Sequence, residues 1–247
     1  IDNSRIIGRE IIMNIALISA GTLVGKKEAT WLTLLNLAKE YNKKGHHAVI
    51  IAKKHPKFPI YQKVDGIKIY RVFGSQGILK HFSRLMATFV TLQKIKKKEG
   101  ITFNVIHGFS SAPLLSLELK IAQLATNKAK IVHSIKSYSK SKFGRKFFFF
   151  LHFANRITIP TKSIIETLFP TFPREKISVI RSNIDLKKFN PQNKKELKEK
   201  YGLSGKNVIL YYGALRKQKG VDYLIQSIPI VRKINPNTKF IFLIRSS

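Results

Sequence analysis

The sequence predicts an α/β fold with a mostly parallel sheet, and three observations carry that expectation. Short apolar, β-branched runs alternate with helix-period patterns along most of the 247 residues. The runs at 15–18 and 47–52 are apolar at consecutive rather than alternate positions, as strands covered on both faces require. Twice, around Gly21 and around Gly213, a glycine-bearing turn stands between a strand and a helix.

The first strand is expected at 15–18, behind an upstream tail of residues 1–12. Arg5 and Arg9 ahead of the apolar run 11–25 imitate a secretory leader, but Asn14 and Ser19 interrupt that run and a turn through Gly21 and Gly25 follows. Trp31, Leu34, Leu35 and Ala38 recur at helical spacing over 29–41, Gly45 ends the helix, and strands follow at 47–52 and 67–72. Phe82, Leu85, Met86 and Phe89 begin a helix that runs on to the basic stretch 94–98. Next come a strand at 103–107, a helix at 112–125, a strand at 129–134 and a helix through 147–154. A strand at 157–160 and a short helix around 163–168 complete a first domain of residues 13–190. A second domain occupies 191–247: a polar stretch to Lys200, a strand at 208–212, a loop at 213–220, a helix at 221–233 and a strand at 239–244. One strand, one helix and one strand are too few to enclose a core, so this second α/β domain is expected to be incomplete.

Composition narrows the chemistry. Lys+Arg number 46 against 13 Asp+Glu, a net charge of +33, which favours anionic partners: a phosphorylated substrate, an acidic membrane surface or nucleic acid. With no cysteine, disulfides, thiolate metal sites and a cysteine nucleophile are excluded, and an intracellular location fits. The motifs H-E-x-x-H and G-x-S-x-G are absent, which argues against a metal hydrolase or a serine hydrolase. The apolar run 147–153 is far short of the roughly 20 residues needed to span a bilayer.

Four sets of residues stand out. Gly213-Ala214-Leu215-Arg216-Lys217-Gln218-Lys219-Gly220 follows a strand and opens a helix, so backbone N–H groups and the positive helix end can face an anion. Gly213 and Gly220 permit close approach there, and Lys219 with Arg216 adds charge suited to a diphosphate; an ordinary turn with solvated lysines is the competing reading. Gly21, Gly25 and Lys26 occupy a similar context after the first strand, without a full phosphate-binding motif. His107 is expected to end a strand, at the edge where open α/β sheets place ligands. Finally, the run from Val179 to Asp185, followed by Phe189, leaves a strand for a turn, and its Asn183 tolerates the left-handed region.

Together these pieces resemble the GT-B glycosyltransferases, specifically the retaining family 4. Val179-Ile180-Arg181-Ser182-Asn183-Ile184-Asp185 with Phe189 resembles the family's V-I-P-N-G-V-D-x-x-x-F, and Gly213 to Gly220 resembles its G-R-L-x-x-x-K-G. Gly25 with Glu28 is similar to a first-loop G-G-x-E, Lys44-Gly45-His46 to R-G-H, and Val105-Ile106-His107-Gly108 to V-I-H-A. The resemblance implies two Rossmann-like domains with mostly parallel sheets, an acceptor-side domain followed by a donor-binding one. It further implies a nucleotide-sugar donor with Lys219 on its phosphate, no metal and no cofactor. Three positions depart from the pattern: Ala214 replaces a phosphate-binding arginine, which Arg216 would substitute, and Phe109 and Lys136 stand where histidines are common. His107 and Lys136 are the candidate catalytic groups. The family's glutamate pair, which grips the donor, has no counterpart up to Ser247, so this stretch of chain is expected to be inactive by itself.

The basic charge also has a pattern. Lys80, Arg84, Lys94, Lys97 and Lys98 accompany the aromatic helix at 82–89, and Lys136, Lys140, Lys142, Arg145 and Lys146 precede Phe147 to Phe150. Such surfaces suit peripheral docking at the inner face of a cell membrane, at about 1 kcal/mol per basic residue. That fits a transferase of polysaccharide biosynthesis whose acceptor is a glycan or a lipid-linked glycan. The alternatives are a non-catalytic relative of the same fold and a polyanion-binding protein. No helix-turn-helix, zinc-finger or RNA-recognition signature is present, so no specific nucleic acid is expected.

Overall fold

A computed structural model of the chain describes residues 11–19, 29–73, 80–110, 114–136, 148–168, 172–181, 184 and 186–244. The expectations on Gly21, Gly25, Lys26, Asn183 and Asp185 lie outside the described residues. The chain divides into two compact units, one up to residue 182 and one from 183 onward.

The first unit opens with β1 (Asn14–Ser19), α1 (Ala29–Lys43) and β2 (His47–Lys53). β3 (Tyr61–Val64), β4 (Ile67–Val72) and α2 (Lys80–Glu99) follow. The chain then alternates through β5 (Val105–Phe109), α3 (Leu114–Gln123) and β6 (Lys130–Ser134) to a 3₁₀ turn, Phe148–Phe153. β7 (Arg156–Ile159), α4 (Ser163–Leu168) and β8 (Ile177–Val179) end it. The eight strands form one sheet in the order β3-β4-β2-β1-β5-β6-β7-β8, parallel throughout except for the antiparallel β3–β4 hairpin.

Alternation along the strands feeds two cores, one on each face of the sheet. Ile15 and Leu17 of β1 pack with Trp31, Leu34, Leu35 and Ala38 of α1 and with Ile67 and Ile69 of β4. Ala16 and Ile18 face the other way, toward Leu92 and Ile95 of α2 and Leu115 and Leu119 of α3. Each fully buried Leu or Ile contributes about 1.5–3 kcal/mol through lost apolar hydration. Between α2 and α3 a charge is buried as well. Glu118 accepts from Arg84 Nη2 at 2.5 Å and from the Thr88 hydroxyl at 3.0 Å. Burial pushes the Glu118 carboxyl up, against the pull of Arg84 and Thr88.

Three differences from expectation concern this unit. β3 is an additional strand, turned back onto β4 through Asp65 and Gly66, both at positive φ, in the two-residue geometry that matches strand twist. The helix expected through 147–154 is a 3₁₀ turn. β5 lies two residues later than expected, so His107 sits inside the strand, opposite Leu17 and Val132, rather than at its end. No helix among the described residues is long and apolar enough to cross a membrane.

The second unit holds α5 (Lys194–Lys200), β9 (Asn207–Gly213), a 3₁₀ turn (Lys217–Lys219), α6 (Val221–Ile234) and β10 (Thr238–Ile244). β9 and β10 pair in parallel across the α6 connection, from Asn207↔Thr238 to Gly213↔Ile244. The polar stretch expected before β9 is partly helical, because the Asn193 side chain accepts from the Lys195 amide at 3.0 Å and caps α5. Among this unit's described hydrophobic residues only Val221 is fully buried, while Leu210, Tyr212, Leu243 and Ile230 are exposed.

Candidate functional site

The site in the second unit grows out of β9. Near the strand's end, the Tyr211 hydroxyl donates to the Ala214 carbonyl at 2.7 Å and pins the first residue of the loop. A Cβ on Gly213 would lie 3.2 Å from that hydroxyl oxygen, so a side chain there would push the tyrosine ring away by a few tenths of an ångström. The loop then tightens through backbone bonds. Arg216 N–H donates to Ala214 at 2.9 Å, Lys219 to Arg216 at 2.8 Å, and Gly220 to Lys217 at 3.0 Å. Gly220, at φ 68°, closes the 3₁₀ turn and begins α6; this left-handed conformation is one a side chain strains.

No side chain caps α6. The amides of Val221, Asp222 and Tyr223 form its first turn, where a helix has no carbonyl of its own to offer, and the helix dipole adds positive potential. Arg216, Lys217 and Lys219 stand exposed on the loop before it. The structure thus gathers Gly213, Arg216, Lys219 and Gly220 on one strand–loop–helix connection. Lys217 is a third cation that the motif comparison left aside. Three cations precede an uncapped helix start whose first turn also carries the acid Asp222, a setting in which backbone amides can receive a phosphate or diphosphate.

In the first unit the interest lies where β1 meets β5, because the chain leaves these adjacent strands toward opposite sides of the sheet. His107 Nε2 lies 2.8 Å from Ser134 Oγ, which lies 2.5 Å from Thr158 Oγ1, so a polar chain crosses β5, β6 and β7. The His107 ring sits 4.2 Å from the Phe109 ring, over which Lys136 Nζ lies at 5.8 Å. Burial, and then the charges of His133 and Lys136, push His107 down to about 3. Burial likewise lowers the Lys136 amine.

On β6, paired with Gly108 and facing α3 on the opposite side of the sheet from His107, is a second histidine that the sequence reading did not single out. His133 Nε2 is 3.0 Å from the Ser110 carbonyl, and its Nδ1 is 2.7 Å from Ser116 Oγ. A carbonyl only accepts, so Nε2 carries the proton and Nδ1 accepts from the Ser116 hydroxyl. Burial pushes His133 down to about 4, with the Ser110 carbonyl pulling the other way. Both imidazoles are therefore neutral near pH 7. They can order hydrogen bonds, and neither can act there as a cationic acid. The signal available in sequence was the polar pair His133-Ser134 following the apolar Ile131-Val132 in this strand. Among the described residues no three carboxylates or histidines are grouped to hold a metal ion.

Comparison with known proteins adds to this geometry. A family profile described as Glycosyltransferase Family 4 matches residues 32–188, and one described as Glycosyl transferases group 1 matches residues 193–243. Spore coat protein SA of Bacillus subtilis (strain 168) is 30% identical over 87 residues, a match covering 32% of this chain and 23% of that protein. Among solved structures, the catalytic domain of starch synthase IV from Arabidopsis thaliana, bound to ADP and acarbose, superposes with a TM-score of 0.60 at 15% identity. That match covers 94% of this chain and 68% of the synthase chain. Sucrose-phosphate synthase from Thermosynechococcus elongatus gives 0.66 at 15% identity, covering 94% and 71%. UDP-GlcNAc 2-epimerase from Methanocaldococcus jannaschii gives 0.55 at 14%, covering 94% and 66%. At such identities the likeness is one of fold, the GT-B type, and the epimerase shows that this fold serves more than one reaction.

Proposed function

The chain belongs to glycosyltransferase family 4, and from that premise we propose that it moves a sugar from a nucleotide diphosphate sugar to an acceptor hydroxyl with retention of configuration. The observation that carries the reading is the uncapped start of α6 behind Gly220, with Lys219, Lys217 and Arg216 beside it. In the transfer, the bond between the sugar's anomeric carbon and the diphosphate oxygen breaks. A bond from the acceptor oxygen forms, the acceptor proton leaves, and a nucleoside diphosphate departs. Negative charge grows on that leaving group, where preorganised amides and cations stabilise it most effectively. Arg216 takes the part of the arginine that Ala214 replaces.

The first unit supplies the acceptor side. Neutral His107 and the amine of Lys136 are the groups offered to the reacting sugar and acceptor, and Gly21, Gly25 and Lys26 are assigned to the same reaction from their sequence pattern. The acceptor is a glycan or a lipid-linked glycan made during polysaccharide biosynthesis at the inner face of the cell membrane. In support of a peripheral placement, Phe82, Met86 and Val90 recur every four residues along α2 and all three are exposed. The basic Lys94, Lys97 and Lys98 continue the same helix.

Binding is the quantity to measure on these 247 residues. Each of a panel of nucleotide diphosphate sugars is titrated into the chain by calorimetry. Saturable one-to-one binding of a donor, displaced by its own nucleoside diphosphate, supports the reading. No binding across the panel overturns it.

A further inference from the structure

A cavity of about 520 Å³ opens between the β3–β4 hairpin and the second half of α2. It lies at the outer edge of the sheet, with β2 and β1 between β4 and the strand that carries His107. Its size falls in the usual range for small-molecule sites. One wall is aromatic: Tyr61 and Tyr70, directly paired across the hairpin, hold their rings 5.1 Å apart and tilted by 49°. Beside them Ile60 is 53% exposed and Tyr61 48% exposed, so the wall is open to a ligand.

The remaining lining is electrically unbalanced. Lys68, Lys94 and Lys98 contribute three cations, Arg71 adds a fourth from the other face of β4, and Glu99 is the one acid among the described lining residues. That carboxylate is already occupied, because Lys68 Nζ reaches its Oε2 at 2.7 Å and the Tyr70 hydroxyl donates to its Oε1 at 2.6 Å. Burial alone would raise the Glu99 carboxyl, but these two bonds and the charges of Lys68 and Lys98 hold it below the ordinary range. Lys94 and Lys98 make no salt bridge among the described residues.

Arg71 sharpens the imbalance, being only 2% exposed. Its Nη1 donates to the Pro59 carbonyl and its Nη2 to Gln62 Oε1, both at 3.0 Å, and the guanidinium lies 5.0 Å from the Phe58 ring. All of these partners are neutral, and Nε has none. A buried cation facing only neutral acceptors is poorly compensated and draws an anion toward it.

We propose that this cavity binds a small phosphorylated ring compound, its ring against the Tyr61–Tyr70 wall and its phosphate at Lys94 and Lys98. Arg71 adds a fixed positive field from behind the wall, on the opposite face of β4. The ligand is of sugar-monophosphate or nucleoside-monophosphate size, and its site is separate from the connection that holds Lys219.

Phenyl phosphate is the probe, because it joins a ring to a phosphate; phenol and inorganic phosphate each carry one half. The chain is titrated with all three by calorimetry, and backbone amide NMR locates the binding. Phenyl phosphate is expected to bind more tightly than either half and to shift amides in 60–71 and 94–99. The double variant Lys94→Gln/Lys98→Gln, altering two exposed residues, is expected to weaken it about tenfold or more. Tyr61→Ala weakens it as well, and Lys219→Gln leaves it unchanged. Unaltered affinity in the double lysine variant overturns the proposal. So does binding that only Lys219→Gln abolishes, or binding confined to anionic lipid vesicles with none to phenyl phosphate.

Discussion

Acidification from pH 7 to pH 5 should destabilise the first unit through His133. The folded imidazole titrates at about 4 and the ordinary value is 6.5, so the unfolded chain binds the proton more tightly. The stability linked to the neutral, buried ring is intact above pH 6.5 and is lost as pH falls from there toward 4. At pH 5 the unfolded imidazole is protonated and the folded one is nearly all neutral. The gap of about 1.5 pH units, at 1.36 kcal/mol each, corresponds to about 2 kcal/mol. His107, held at about 3, loses stability in the same direction over the same window. The assay is urea unfolding at both pH values, followed by the fluorescence of Trp31, the chain's one tryptophan, which is buried against β1 and β4. In His133→Asn the starting stability is lower, because Ser116 and Ser110 lose their partner. The loss between pH 7 and pH 5 should nevertheless be smaller than in the parent by about 2 kcal/mol. Equal losses in parent and variant would refute the reasoning, since carboxylate contributions are common to both.

Other outcomes follow from the same structure. Gly108→Ala would place a Cβ 2.6 Å from Leu119 Cδ1 and 2.8 Å from Leu115 Cδ2, so these two buried leucine side chains would have to repack. A loss of about 1–3 kcal/mol in stability by the Trp31 urea assay is expected, and unchanged stability would show that the two leucines repack freely. Glu118→Ala removes the buried carboxylate that Arg84 and Thr88 bond between α2 and α3 and should cost about 3–5 kcal/mol in the same assay, whereas a neutral result would mean that water replaces the carboxylate. Lys219→Gln should weaken donor binding by about tenfold or more while leaving the thermal midpoint within about 2 °C, as befits an exposed side chain. Calorimetry and a thermal melt on the same preparation separate the two effects.

The parts of this fold legible in the sequence are those whose signals are local. β1 and β2 hold unbroken apolar runs, β4 alternates apolar with polar residues, and α1 shows an apolar stripe at helical spacing. The Gly213–Gly220 connection was readable for the same reason, since strand, glycines, cations and helix are contiguous. β3 escaped because it is an edge strand with exposed and half-buried residues in alternation, although Asp65-Gly66 marked the turn. The run of phenylalanines before Leu151 has no period to distinguish a helix from a 3₁₀ turn. α5 lay in a polar stretch, and its start was signalled only by Asn193 with Glu196 three residues on.

What could not be read locally was the histidine environment. Phe103 made β5 look two residues earlier, and pairing of Val105 with Ile15 of β1, far away in sequence, sets its true register. Only then do His107 and Ser134, 27 positions apart, come within hydrogen-bond distance. The anion-rich demand of the edge cavity is likewise a tertiary property. Arg71 lies in an ordinary strand pattern, and folding alone reveals that the described groups meeting its guanidinium are neutral.

Backbone amide NMR during titration with a nucleoside diphosphate tests the central claim most directly. Saturating shifts concentrated on Lys219, Gly220, Val221, Asp222 and Tyr223 are predicted, as the diphosphate takes up the first-turn amides of α6. Saturable binding that leaves those five amides in place and shifts others would contradict the account.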